Sequence, residues 1–280
     1  MVDRMQVKGR TAIITGAASG IGRAIAHGLA RRGCHLALAD VNEAGLEETA
    51  SSAASDVRIT RHALDVGNAA AIAAFPDLVR SAHPKVDILV NNAGVALGGT
   101  FEQVSETDFD WLISINFFGV VRMTRAFLPM LKTSDDARIV NISSIFGIIA
   151  PPGQTAYCAS KFAVRGFSAS LRQELAATSV GVTVVHPGGV ATSIARNARR
   201  HQGSSDEEIA ATQAWAEANL KLPPAAAAET IVRGIEQRQP RVIVGRDAQI
   251  ASILERIGPI AHWDWLQRLA SRKQGRPPPR

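Results

Sequence analysis

Thiols are nearly missing from this chain: Cys34 and Cys158 are the two cysteines in 280 residues, with no Cys-x-x-Cys pair and no Cys/His group at metal-ligand spacing. Neither a disulfide framework nor a zinc site is indicated, no metal is expected, and the usage suits a reducing cytosol, so a cytoplasmic protein is expected. Aromatics are scarce at 5%, and Tyr157 is the single tyrosine. No apolar run approaches the roughly 18 residues that span a bilayer. The N-terminus carries Asp3, Arg4, Lys8 and Arg10 before its first apolar stretch, so no signal peptide is readable. Acids are absent after Asp264, whereas Arg268, Arg272, Lys273, Arg276 and Arg280 follow it and supply five of the net +6 charges. Basicity confined to a tail, without interleaved aromatics on a folded face, argues against nucleic acid as a partner.

What is present is an ordinary globular composition, 46% hydrophobic and 20% charged, in a length that can bury a large core. From Thr11 onward, short apolar runs alternate with longer segments of helical period, the pattern of βαβ units and a parallel sheet. Strands are predicted near Thr11–Thr15, His35–Asp40, Val57–Leu64, Asp87–Asn91, Ala137–Ile142, Gly181–His186 and Arg241–Val244. The fold class is therefore α/β, a doubly wound seven-stranded parallel sheet in a single domain. A catalytic unit is expected over 1–247, with 193–222 as a helical, mobile substrate lid ending at Pro223-Pro224. A C-terminal helical extension is expected over 248–270, where Ile250, Ile253, Leu254 and Ile257 share one face, and a basic disordered tail over 271–280.

At the end of the first strand stands Thr15-Gly16-Ala17-Ala18-Ser19-Gly20-Ile21-Gly22, which opens directly into a helix. Glycines here let backbone approach a pyrophosphate and aim helix N-terminal N–H groups at it; the alternative is an ordinary tight turn. The second strand ends at Asp40, 18 residues after Gly22. An acid there can accept hydrogen bonds from an adenosine ribose and would repel a 2′-phosphate, which favours NAD. Its structural alternative is a helix N-cap, a role Asn42 could share. Tyr157 and Lys161 lie at i and i+4, so their side chains can converge on one helix face. A nearby ammonium favours the phenolate and is expected to draw the phenol toward a useful proton-transfer range.

The chain closely resembles the short-chain dehydrogenase/reductase family from about Lys8 to Val244. The matching motifs are TGAASGIG at 15–22, Asp65-Val66, NNAG at 91–94, Asn116, NISS at 141–144, YCASK at 157–161 and PGGVAT at 187–192. The resemblance implies a Rossmann-type fold and an oxidoreductase that passes hydride between NAD(H) and an alcohol or ketone. It implies Tyr157 as general acid/base, and Lys161 as the group that lowers its pKa and holds the nicotinamide ribose. Ser144 would hold the substrate oxygen, and Asn116 a water that relays protons to Lys161. The spacing of 13 from Ser144 to Tyr157 selects Ser144 over Ser143, which would serve as a strand-end hydrogen-bonder.

By the same resemblance, Gly16, Ser19, Gly20, Ile21 and Gly22 would cradle the pyrophosphate, and Asp65 and Val66 would flank the adenine. Asn91, Asn92, Ala93 and Gly94 would line the adenosine side. Pro187, Gly188, Val190 and Thr192 would hold the nicotinamide end. A buried Asn116 closing a helix kink, and Asn91 and Asn92 satisfying backbone, are the structural alternatives. A homodimer or homotetramer through the helices of Asn116 and Tyr157 is implied. Pocket walls are expected from 95–99, 145–154 and the lid. Ile145, Phe146, Ile148 and Ile149 point to an apolar chamber, unless they belong to the core, and hence to a hydrophobic substrate. A non-enzymatic NAD-binding sensor and a sugar-nucleotide epimerase are the competing functions. Contact of the C-terminal segment with an anionic membrane competes with its closing the subunit or an oligomer interface.

Overall fold

The computed structural model describes residues 4–53 and 56–266. The expected tail over 271–280, and the last four residues of the expected extension, lie outside the described residues. Chain order runs β1 (Thr11–Thr15), α1 (Gly20–Ala30), β2 (His35–Asp40), α2 (Glu43–Ser51), β3 (Ile59–Ala63), α3 (Ala69–Ala82) and β4 (Ile88–Asn91). It continues with β5 (Leu97–Gly98), α4 (Glu106–Ile113), a π-helical turn (Ser114–Phe118), α5 (Gly119–Lys132), β6 (Ala137–Ile142), a 3-10 turn (Ile145–Gly147), α6 (Thr155–Glu174) and β7 (Val180–Pro187). Next come β8 (Arg199–Arg200), α7 (Asp206–Asn219), α8 (Pro224–Glu236), β9 (Arg241–Val244) and α9 (Arg246–Ile257).

Seven strands form one sheet in the order β3-β2-β1-β4-β6-β7-β9, every pair parallel. Every residue of β1, β4 and β6 is buried. Parallel strands need crossover helices, and those helices cover both faces of the sheet. Alternation along each strand divides the core into two layers. Ile14, Leu36, Ile88 and Val140 pack with Ile25 and Leu29 of α1 and Ile231, Val232 and Ile235 of α8. Ile13, Ala37, Leu89 and Ile139 pack with Phe75 of α3, Met123 and Phe127 of α5, and Leu171 of α6. The rings of Phe75 and Phe127 meet edge to face at 5.4 Å. Truncating either buried ring to alanine costs about 3–5 kcal/mol.

The seven expected strands are all present, with β3 shorter at both ends and β7 running from Val180 through Pro187. A two-stranded parallel ribbon, β5 with β8, has no counterpart in the sequence reading. The stretch 193–222 contains β8 and α7; α7 starts with a capping box made by Ser205 and Glu208 and buries only Ala216. The continuous helix Glu106–Lys132 is long and apolar enough to cross a membrane by length and average composition, although Asp108, Asp110, Arg122 and Arg125 break any purely apolar run within it. It lies on the sheet, where Val120, Met123, Phe127, Met130 and Leu131 are buried.

The isoleucine stripe of α9 does not close the subunit. Ile250, Ile253 and Ile257 are exposed, and the helix seats itself through Ala251, against Ile148 and Ile149. Those two isoleucines, with Ala251, Trp263 and Leu266, form a small core under the C-terminal segment. They therefore do not wall an open chamber.

Candidate active site

The carboxyl ends of β1, β2, β4, β6 and β7 gather the motif residues along one edge of the sheet, where α/β folds place ligands. Gly16 and Gly20 have φ of +65° and +55°, a backbone that side chains disfavour. A Cβ on Gly16 would stand 2.8 Å from the Ala93 Cα, and one on Gly22 would fall on the Gly16 carbonyl oxygen. The turn is held open by a clamp from β4. Asn92 Nδ2 donates to the carbonyls of Thr15 at 2.9 Å and Gly16 at 3.0 Å. The Thr15 hydroxyl accepts from the Asn92 and Ala93 N–H groups, both at 3.0 Å. Asn92 is thus a brace of the turn, and Thr15 is a second brace that the sequence reading missed. Its signal was a hydroxyl residue at the strand end directly before the first glycine.

Ser19 is the N-cap of α1, yet its exposed side chain makes no capping bond, so its hydroxyl and the first N–H groups at Gly20 and Ile21 are free for an anion. Asp40 caps no helix: the Asn42 side chain takes that role on α2, accepting from Gly45 N–H. Asp40 instead accepts from the Ala18 N–H at 2.9 Å and the Asn42 N–H at 3.0 Å, which fixes a carboxylate beside the glycine turn. Asp65 is exposed and accepts from the Gly67 N–H at 2.7 Å, while Val66 is buried against Gly119. Asn91 points away from the edge, donating to Asn141 Oδ1 at 2.8 Å and Thr124 Oγ1 at 3.1 Å. It is a structural residue.

Ser144, Tyr157 and Lys161 converge at the end of β6. Ser144 caps the 3-10 turn, accepting from the Phe146 N–H at 3.1 Å. Lys161 is buried, with Nζ donating to the Ile142 carbonyl at 3.1 Å and lying 5.6 Å from the Tyr157 ring centre. Burial lowers its ammonium to about 8. Burial also dominates the phenol, which is pushed up to about 12 against the pull of a hydrogen bond with the Ser144 side chain. Burial of the phenol thus acts against the lowering expected from Lys161. Desolvation disfavours the phenolate, and the Lys161 ammonium donates to the Ile142 carbonyl rather than to the phenol. Ser143 donates to the Lys161 carbonyl at 2.9 Å, so it anchors α6 to the strand end.

Asn116 lies fully buried in the π-helical turn, a deformation common at functional sites. Its amide pairs with the Val95 backbone in both directions, at 2.8 and 2.9 Å, and donates to Ser160 Oγ at 3.2 Å. It makes no direct bond to Lys161. Gly94 lies between them: a Cβ there would be 3.2 Å from Asn116 Oδ1 and 3.5 Å from Lys161 Nζ.

At the far side, Gly188 N–H donates to the Val244 carbonyl at 2.8 Å and Gly189 N–H to the Asp247 carboxylate at 2.7 Å. This carries the chain from buried Pro187 to Val190, which bridges to Leu222, and on to Thr192, whose methyl would lie 3.2 Å from a Cβ on Gly20. The two ends of the motif series thus meet across the cleft. The sequence reading also missed His186. Its buried Nδ1 donates to the Ser144 carbonyl at 2.9 Å, its Nε2 has no partner, and burial lowers its pKa to about 4. A neutral imidazole thus holds the backbone of Ser144.

Residues 10–203 match the family model described as short chain dehydrogenase. This chain belongs to the short-chain dehydrogenase family. It is 44% identical over 254 residues to the Mycobacterium tuberculosis protein named oxidoreductase SadH, covering 89% of this chain and 91% of that one. A short-chain dehydrogenase/reductase from Burkholderia phymatum, solved in complex with NAD, superposes with a TM-score of 0.78 at 30% identity, covering 99% and 98% of the two chains. A short-chain dehydrogenase from Mycobacterium paratuberculosis, bound to NAD, gives 0.76 at 26% identity over 88% and 100%. The protein is an oxidoreductase of this family.

Proposed function

We propose that this short-chain dehydrogenase interconverts an apolar secondary alcohol and its ketone with NAD(H). The observation that carries the reading is the meeting of Ser144, Tyr157 and Lys161 beside a glycine cradle that side chains could not occupy. The residues present fit a dinucleotide. Gly16, Gly20 and Gly22 leave room at a helix N-terminus, Ser19 offers an unused hydroxyl, and Asp40 presents a carboxylate where a ribose could donate to it. Pro187, Gly188, Val190 and Thr192 would hold the nicotinamide end, and Lys161 the ribose beside it. The NAD named with the two solved relatives supports the same choice.

When bound, the nicotinamide supplies or accepts the hydride. The chain manages the proton. With its phenol held neutral, Tyr157 is set to donate to a carbonyl oxygen that Ser144 also holds, the reductive direction. In the oxidative direction Tyr157 must first lose that proton, and Lys161, lowered to about 8, is the nearer group to the working range. Asn116 and Gly94 border Lys161 and would shape its path to solvent. The apolar substrate is supported by Val95, Phe109, Trp111 and Leu97 around Tyr157, and by Phe146, which meets the Tyr157 ring edge at 6.2 Å. The segment 193–222 would be the lid, latched by Arg199: Nη1 pairs with Asp108 at 2.8 Å and the guanidinium lies 3.7 Å over the Trp111 ring.

The test is turnover, followed by absorbance of the reduced cofactor, with NAD(H) and NADP(H) against apolar, steroidal, sugar and hydroxy-acid alcohols and ketones. NAD-linked turnover favouring apolar compounds is expected. Equal turnover of small charged hydroxy acids would contradict the substrate class, and tight NADH binding without any turnover would favour the sensor.

A further inference from the structure

At the free edge of the sheet, beyond β9, a cavity of about 410 Å³ is lined by Arg165 of α6, Arg241 and Ile243 of β9, and Gln249, Ser252, Glu255 and Arg256 of α9, with Ile253. Three guanidiniums surround it against one carboxylate. Several other arginines in this fold have carboxylate partners, whereas buried Arg138 is held by the Thr183 hydroxyl at 3.0 Å. Arg10 pairs with Asp87 and Asp135, Arg32 with Glu229 and Glu236, and Arg238 with Asp136. Among the described residues, Arg165, Arg241 and Arg256 form no ion pair at all. Arg241 Nη2 donates to Ser252 Oγ at 3.2 Å and Arg165 Nη1 to the Gly147 carbonyl at 3.2 Å, so both are held in place by neutral acceptors.

We propose that this cavity is a binding site for a small, multiply charged oxyanion, of the phosphate or polycarboxylate class. Guanidiniums present fixed forks of N–H donors that match such oxygens, and Gln249 and Ser252 add neutral polar contacts. An anion would relieve repulsion among the three guanidiniums, and Arg241 registers their balance: burial and Arg165 lower its pKa, Glu255 opposes them, and Arg256 adds to the lowering. The site is separate from the glycine turn, which lies at β1, on the other side of the sheet's centre. It is also wired to the active site. Arg165 holds Gly147, the last residue of the turn that Ser144 caps, and the field of Arg241 and Arg165 reaches His186, which holds the Ser144 carbonyl.

The test uses the full chain saturated with NADH, so that phosphate cannot report through the dinucleotide site. Thermal unfolding and titration calorimetry are run with inorganic phosphate, pyrophosphate and citrate at matched ionic strength. A saturable rise in Tm and a binding heat are expected in the wild type, with affinity reduced at least tenfold in Arg241→Gln and in Arg256→Gln. Comparing the arms separates phosphate from carboxylate recognition. In anion-free, low-salt buffer the same variants are expected to melt higher than the wild type, because one repelling charge is gone. Equal responses of wild type and variants, a response reproduced by matched chloride, or variants that melt lower without anion would overturn the proposal. So would sedimentation showing that a second copy of the chain covers this edge and that phosphate no longer binds in that assembly.

Discussion

Asp40→Asn tests the reading of cofactor choice, because it removes one charge while changing little else in shape. In the structure the two carboxylate oxygens accept separately, from Ala18 N–H at 2.9 Å and Asn42 N–H at 3.0 Å. An asparagine can keep only one of these bonds through its oxygen, so a modest loss of turn rigidity is built into the experiment. The larger effect is electrostatic. A 2′-phosphate at a separation of about 5 Å, with an effective dielectric of about 20, meets about 3 kcal/mol of repulsion per charge pair. Asp40 is half-exposed, so solvent screening reduces this, and the expected change in the NADPH-to-NADH ratio of kcat/KM is about 10- to 100-fold. NADH itself is expected to lose roughly tenfold in affinity, the worth of one charge-assisted hydrogen bond. The assay is steady-state kinetics with both cofactors for both proteins. A wild type that prefers NADPH, or a ratio that moves less than threefold, would refute the reasoning.

Three further outcomes follow from named contacts. His186 titrates near 6.5 when free and at about 4 in the fold, so the folded state's advantage is whole above pH 6.5 and is lost as the pH falls to about 4. The loss is about 3 kcal/mol; urea unfolding across that range should show a shallower decline in His186→Gln, and parallel slopes would contradict it. Gly22→Ala places a methyl on the Gly16 carbonyl oxygen, and is expected to cost about 1–3 kcal/mol and to weaken NADH binding at least tenfold by calorimetry; unchanged binding would remove the cradle argument. Arg199→Ala releases the contacts to Asp108 and Trp111, so limited proteolysis within 193–222 should quicken by roughly three- to tenfold, and an unchanged cleavage rate would dismiss the latch.

The sheet was legible in the sequence because its central strands β1, β4 and β6 are apolar runs buried on both faces, whereas the edge strands β3 and β9 carry exposed or half-buried positions. What escaped was set by distant packing. The ribbon of β5 and β8 spans two residues per strand, and its pairing is supported by Arg199 reaching α4, which no local pattern announces. Ile148 and Ile149 are equally apolar as chamber wall or as core, and only the seating of Ala251, Trp263 and Leu266 on them decides for the core. The spacing of Tyr157 and Lys161 placed the two side chains together correctly, but the direction of the phenol's shift depends on burial and on where the ammonium points. His186 was invisible as a lone histidine at a strand end, and its meaning lies in a bond to Ser144 across 42 residues.

The most direct test of the proposed chemistry is Tyr157→Phe, measured for turnover and, separately, for NADH binding by fluorescence. The phenol packs through its ring against Phe146, so the variant keeps that packing and loses only the hydroxyl that meets Ser144. General acid–base catalysis contributes about 10²- to 10⁴-fold, so kcat is expected to fall by at least about a hundredfold while NADH affinity changes less than threefold. Turnover within about tenfold of the wild type would contradict the assignment of the proton to Tyr157.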